Sequence, residues 1–335
     1  MSEKRIEWID LARGFAAICM ILGHSFIEHP IDISGFSWCI ALHNWIYSFH
    51  MELFFFLAGC VWECSNYKPY VIKKIKRILM PYVVFGLAAL FIKALGLSAV
   101  NNNESLGEGL LNFVLKGGNY WFLYVLFEVF VVFPLVVLAL QRIKAPNEWM
   151  IVLALIFAIV SCVFDLPEML RVDLLCYQLP YFLVGRYLTG NKSMEIAKNK
   201  PFIGIVYGIT GLLLYALITV FVSNESLMCI RYIKAFAMIL VIIVMMIIVT
   251  NVEANNRIVN MFTNMLKDCG KFSLQLYLFN GYLLVIIRTL LVGFMHIYNP
   301  ILLVCIITTG NLLITILLCK YVLVKIPLVK LVCGL

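Results

Sequence analysis

The sequence predicts an all-α integral membrane protein, about ten transmembrane helices in one bundle with both termini cytoplasmic. Three observations predict it. Hydrophobic residues fill 63% of the 335 positions and charged residues 13%, at a mean hydropathy of +0.99. No soluble domain buries that much apolar surface. Apolar runs of about 20 residues recur, the length a helix needs to cross a ~30 Å hydrocarbon core. They are continuous, whereas a membrane strand is about 10 residues of alternating pattern, so helices and not a barrel are expected. The basic residues, finally, segregate to one side of the resulting map.

The spans fall at 8–28, 38–63, 78–98, 119–140, 149–166, 172–190, 202–223, 229–250, 271–293 and 299–324, all in a single membrane-embedded domain covering 1–335. The first is no cleaved signal peptide, because Asp10 and Arg13 lie in its first turns and no small-residue cleavage site follows. The second reads ALHNWIYSFHMELFFFLAG over 41–59. A basic link, YKPYVIKKIKRILMPY over 67–82, leads into the third. The stretch AVNNNESLGEGLLNFVLKGG over 99–118 is the longest external loop, able to lid a site or simply to join two helices. No internal repeat, low-complexity tract or appended soluble domain is visible.

With the N-terminus inside, twenty of the 26 lysines and arginines are cytoplasmic. They include Arg13, the link residues Lys68, Lys73, Lys74, Lys76 and Arg77, and Arg186, Lys192, Lys198 and Lys200. The six on the other side, or at outer helix ends, are Lys93, Lys116, Arg171, Arg231, Lys234 and Arg288. A missed or spurious span would scramble this asymmetry. The net charge of +8 therefore reports topology, and no nucleic-acid partner is expected. The eleven cysteines lie mostly in spans, where they act as small apolar residues. Cys60 and Cys64 are four apart without companion histidines, so no metal is expected.

Polar residues inside the spans carry the functional signal, because intramembrane ionisable groups usually face a cavity or a partner. In LARGFAAICMILGHSF, residues 11–26, Arg13 and His24 are eleven residues apart, on one helical face and about 16 Å apart along the axis. Asp10 lies one turn below Arg13 and can pair with it. Arg13 can equally snorkel to the interface, and His24 can bond a neighbouring helix. In the second span His43, Tyr47 and His50 recur on one face, as a polar contact seam, while Glu52 falls on nearly the opposite face. Trp121, Tyr124 and Glu128 share a face of the fourth span; Ser273, Tyr277 and Asn280 share one of the ninth. Each set is either ordinary interhelical bonding or part of one polar interior. The basic link orients the helices and touches anionic lipid, and close to Arg13 it can also hold a phosphate-rich ligand.

These residues resemble the acyltransferase 3 family of integral membrane acyltransferases. RIEWIDLARGFAAICMILGHSF is similar to its first helix, marked by Arg, ten residues and His. MELFFFLAG resembles its second-helix segment, KKIKRILMPY its basic cluster before Pro and an aromatic residue, and YWFLYVLFE its fourth-helix Trp motif. YFLVGRYL, CGKFSLQLYLFNGYLL and KYVLVKIPLVKLV resemble later segments, in order, across nearly the whole chain. The resemblance implies a ten-helix core and transfer of an acyl group, usually acetyl, from cytoplasmic acyl-coenzyme A to sugar hydroxyls of cell-envelope or exported glycans. It further implies a stand-alone O-acetyltransferase in the inner membrane whose acceptor can be lipid-linked. His24 corresponds to the catalytic histidine and Arg13 to its partner at the donor site. Lys73, Lys74, Lys76 and Arg77 correspond to the cluster near the coenzyme, and Trp121 to the fourth-helix motif. Many members have a histidine where Asn280 stands, and lysines here occupy positions often held by arginine.

The chemistry agrees. Acyl transfer needs a base for the acceptor hydroxyl, and imidazole suits neutral pH. It needs stabilisation of the developing oxyanion, for which the sequence names no donor, and a path for a phosphorylated donor. A glycan or lipid-linked-intermediate transporter is the alternative, but no inverted repeat and no matching pair of broken spans supports it.

Overall fold

The computed structural model describes residues 6–26, 36–94, 105–144, 146–190, 201–222, 227–251 and 257–335, and among these every regular element is helical. Lys4, Arg5, Lys192, Lys198, Lys200 and positions 99–104 of the expected loop lie outside them. In chain order the helices are α1 (Glu7–His24), α2 (Ser37–Tyr47), α3 (His50–Cys60), α4 (Tyr67–Lys74), α5 (Met80–Ala94), α6 (Leu106–Lys116), α7 (Trp121–Arg142) and α8 (Trp149–Val163). There follow α9 (Val172–Gly190), α10 (Pro201–Phe221), α11 (Met228–Asn251), α12 (Arg257–Lys271), α13 (Ser273–Arg288), α14 (Pro300–Tyr321) and α15 (Pro327–Val332). Among the described residues six stretches are long and apolar enough to cross a membrane: Tyr67–Lys93, Leu106–Arg142, Gly204–Phe221, Met228–Thr250, Ser273–Phe294 and Pro300–Lys325. The other expected spans coincide with α1, α2 together with α3, α8 and α9, which are helical but shorter or more polar.

Four departures from the sequence map matter. The second span is not one helix. It breaks at Ser48 and Phe49, where Phe49 has φ −151° and ψ −21°. The Ser48 hydroxyl donates to Trp45 O at 2.7 Å, a local bond that competes with helix continuation. Phe49 turns wholly inside, stacked on Phe15 and edge-on to Trp45. The basic link is no loop either: α4 runs through a π turn, Ile75–Leu79, into α5. Pro81 explains the turn, since it has no N–H for the Arg77 carbonyl four residues back and its ring crowds that carbonyl. Gly334 of the C-terminal segment, at φ +70°, closes on the Arg77 carbonyl instead, leaving no space for a Cβ.

The expected external loop contains α6, started by a Ser105–Glu108 capping box and ended by Gly117 at φ +78°. Lys116 of α6 bonds Glu168 at 2.6 Å and holds that exposed carboxyl below its ordinary pKa, so this tie is present near neutral pH and is lost on acidification. The ninth span is preceded by α12, an amphipathic helix that buries Leu266 and Cys269 and exposes Met261, Phe262 and Met265. At 15 residues it is too short to register as a span. Ion pairs Glu7–Lys267 and Asp268–Lys320 fasten it to α1 and α14.

Glycines set the two closest helix crossings. Gly14 of α1 meets the Leu266 carbonyl of α12, and Gly270 of α12 meets the Asp10 carbonyl of α1. Gly59 of α3 and Gly185 of α9 do the same against Phe182 and Phe56. In lipid, where apolar burial drives little association, such backbone approach is a main source of helix contact. A side chain at Gly270 would strike backbone that has no rotamer to change. Gly270→Leu should therefore cost at least the ~1–3 kcal/mol of ordinary overpacking. Thermal unfolding in detergent measures it, and an unchanged midpoint would remove the crossing from the fold's essentials.

Candidate functional site

His24 closes α1. Its Nδ1 lies 2.7 Å from Met20 O. A carbonyl only accepts, so Nδ1 carries the proton, and in the neutral form of the ring Nε2 holds the lone pair. The His24 side chain is exposed among the described residues. Continuity of α1 preserves the expected register of about 16 Å between Arg13 and His24.

The second-span seam survives the helix break and gathers at His24. Tyr47 is its hub, with ring centroids 6.1 Å from His24, 4.0 Å from His43 and 4.9 Å from His50. Tyr47 is 40% exposed. His50 is buried, and its Nδ1 lies 2.9 Å from Ile46 O, bridging the break in the way His24 bonds its own preceding turn. Among the described residues no three His, Cys, Asp or Glu side chains come together to hold a metal ion.

Glu52 points the other way, as its position two residues from His50 requires. It is buried against Tyr177, within electrostatic reach of Arg231, and its Oε2 has no hydrogen-bond partner. Tyr181 donates to Tyr177 at 3.3 Å, Tyr232 donates to the Tyr177 carbonyl at 3.1 Å, and Ser161 meets Tyr232 at 2.7 Å. This packed tyrosine network lies apart from the histidines.

Three cations from separate helices lie around Cys60, Trp62 and Tyr70. Arg13 of α1 and Arg186 of α9 both act electrostatically on the buried Cys60 thiol. Arg186 lies over the Trp62 ring at 5.4 Å. Lys74 of α4 lies over Phe130 at 3.5 Å and Tyr70 at 5.2 Å. Trp62 and Tyr70 are 6.4 Å apart, and the Trp62 Nε1 and Tyr70 hydroxyl are buried beside each other. Cations beside aromatic rings suit a ligand that joins phosphates to an apolar or flat part. The four basic link residues thus divide: Lys74 is turned inward, while Lys73, Lys76 and Arg77 are exposed. Sequence reasoning missed Arg186 as a site residue. It stands in YFLVGRYL, one turn from the helix end, and reads there as a topological charge.

The remaining candidates are spread more widely. Asp10 lends its carbonyl to the Gly270 contact, and the ion pair at that end of α1 is made by Glu7. Trp121 opens α7 and lies nine residues, about 13 Å along the axis, from the Phe130 that Lys74 covers. Tyr124 donates to Val114 O at 3.3 Å and faces Tyr82. Glu128 sits near Asp173 with a buried oxygen lacking a partner. Ser273 starts α13, and the Tyr277 ring packs on Tyr120 and Phe122.

Asn280 is buried and accepts from Asn311 Nδ2 at 2.8 Å, while Thr315 donates to the same Asn311 at 3.4 Å. That is an interhelical clasp between α13 and α14. Asn280→Leu leaves the Asn311 Nδ2 only its longer bond to the Asn280 carbonyl at 3.3 Å and should cost about 1 kcal/mol, read as a lower melting temperature in detergent. A loss of turnover at unchanged stability would instead give Asn280 a chemical role.

No curated protein and no solved structure matches the chain. The family described as an acyltransferase domain matches residues 6–320, from just before α1 to the end of α14. The match takes in Arg13, His24 and the three-cation site alike, and the chain belongs to the acyltransferase 3 family of membrane acyltransferases.

Proposed function

We propose that the protein transfers an acyl group, acetyl in the simplest case, from cytoplasmic acyl-coenzyme A to a sugar hydroxyl of a cell-envelope or exported glycan. The observation that carries this reading is the arrangement along α1. Arg13 belongs to a three-cation site, and His24 presents an uncommitted Nε2 about 16 Å farther up the same helix. An extended pantetheine arm covers that distance, so phosphates held at Arg13, Arg186 and Lys74 would bring the thioester to His24. His24 then takes the acceptor's proton and returns it to the departing thiolate.

In this reading ten helical passes cross the inner membrane: α1, α2 with α3, α4 with α5, α7, α8, α9, α10, α11, α13 and α14. Both termini are cytoplasmic. Cysteines introduced singly at 67–77 should then react with impermeant thiol reagents only from the cytoplasmic side. External labelling there would overturn the donor assignment.

The direct test supplies purified protein with radiolabelled acetyl-coenzyme A and candidate glycans, free and lipid-linked. Labelled ester supports transfer. Glycan crossing a vesicle membrane without ester formation would establish transport instead.

A further inference from the structure

Acyl transfer needs a donor for the carbonyl oxygen as it becomes an oxyanion, and neither Arg13 nor His24 supplies one. Resting on the transfer reading above, we propose that Tyr47 is a further catalytic residue, its phenolic O–H the hydrogen-bond donor to that oxyanion.

The geometry supports the assignment in three ways. The ring is fixed on several sides. His43 stacks on it at 4.0 Å with planes 23° apart, His50 meets it edge-on at 4.9 Å, and Gly23 lies so close that a Cβ there would crowd Tyr47 Cε2. Fixed donors need no reorganisation when charge develops, which is what makes oxyanion stabilisation effective. Tyr47 is also uncommitted: its hydroxyl makes no hydrogen bond with the described residues, and the residue is 40% exposed, so a ligand can reach it. The helix break at Ser48 and Phe49, finally, ends α2 at Tyr47 and places it beside the last turn of α1, where His24 stands.

The step balances. The acceptor hydroxyl loses its proton to His24 Nε2 as its oxygen bonds the thioester carbon. The carbonyl π pair moves onto oxygen, where the Tyr47 O–H stabilises it without giving up its proton. Collapse restores the carbonyl, breaks the C–S bond and sends the His24 proton to the thiolate.

Tyr47→Phe tests this, because it keeps the ring contacts with His43, His50 and Gly23 and removes only the donor. With acetyl-coenzyme A, kcat should fall about 10²–10³-fold, the usual effect of losing one oxyanion donor. Affinity for acetyl-coenzyme A, measured by direct binding, should not change. Release of free coenzyme A without acceptor should fall by the same factor, since hydrolysis passes through the same oxyanion. Wild-type kcat in Tyr47→Phe overturns the proposal, and so does a parallel loss of donor affinity, which would make Tyr47 a ground-state contact. A wild-type protein that makes no ester sinks the transfer reading and this inference with it, an outcome distinct from an active wild type with an equally active Tyr47→Phe.

Discussion

His24→Ala lowers turnover about 10²–10⁴-fold, the range expected for loss of a general base, while acetyl-coenzyme A still binds. The separation follows from the position of His24. Its ring nitrogen Nδ1 bonds only its own helix, at Met20 O, so removing it breaks no hydrogen bond between helices, although it does remove the ring contact with Tyr47. It also lies three turns from the cations assigned to the donor's phosphates. Steady-state kinetics and equilibrium donor binding, measured on protein that elutes and melts like wild type, provide the check. Near wild-type turnover in folded His24→Ala would make this histidine a packing residue and leave the polar face of α1 without a catalytic purpose. His24→Gln is a useful companion, because it fills similar volume but offers no base.

Loss of the three-cation site acts on binding and not on the chemical step. Arg13→Gln, Arg186→Gln and Lys74→Gln should each weaken acetyl-coenzyme A about 10–100-fold, as expected for one charge-assisted contact worth about 1.5–3 kcal/mol. A pantetheine thioester without the nucleotide should respond far less. Lys73→Gln, Lys76→Gln and Arg77→Gln, at exposed positions of the same segment, should weaken the donor less than Lys74→Gln does. Arg13→Lys should recover part of the Arg13→Gln loss if charge is what counts, and little if the planar guanidinium is required. Equal losses for nucleotide and pantetheine donors would assign these cations to folding. The acceptor's apparent KM should stay unchanged throughout, because the acceptor meets the donor at His24 and not at the phosphates.

The sequence by itself determined the helical membrane class, through hydropathy and the length of apolar runs, properties that each segment carries whatever its neighbours do. It also determined the Arg13–His24 register, because two residues on one unbroken helix have their spacing fixed by helix geometry alone. His43, Tyr47 and His50 were legible as one face for the same reason, and they stayed one face across the break. What only the tertiary structure decided depends on contacts between segments distant in sequence. Arg186 joins Arg13 because glycines 59 and 185 let α3 and α9 approach at backbone distance, which brings Cys60 and Trp62 beneath both charges. Lys74 parts from Lys73, Lys76 and Arg77 because Phe130 of α7 offers it a ring, and nothing in the run KKIKR distinguishes it beforehand. Asn280 becomes a clasp because Asn311 faces it from α14. The break before His50 depends on a single serine hydroxyl and on the pocket that receives Phe49, neither of which hydropathy registers. Periodicity within a helix is a local property and can be read from a string. Which faces meet is settled by packing among all the helices at once.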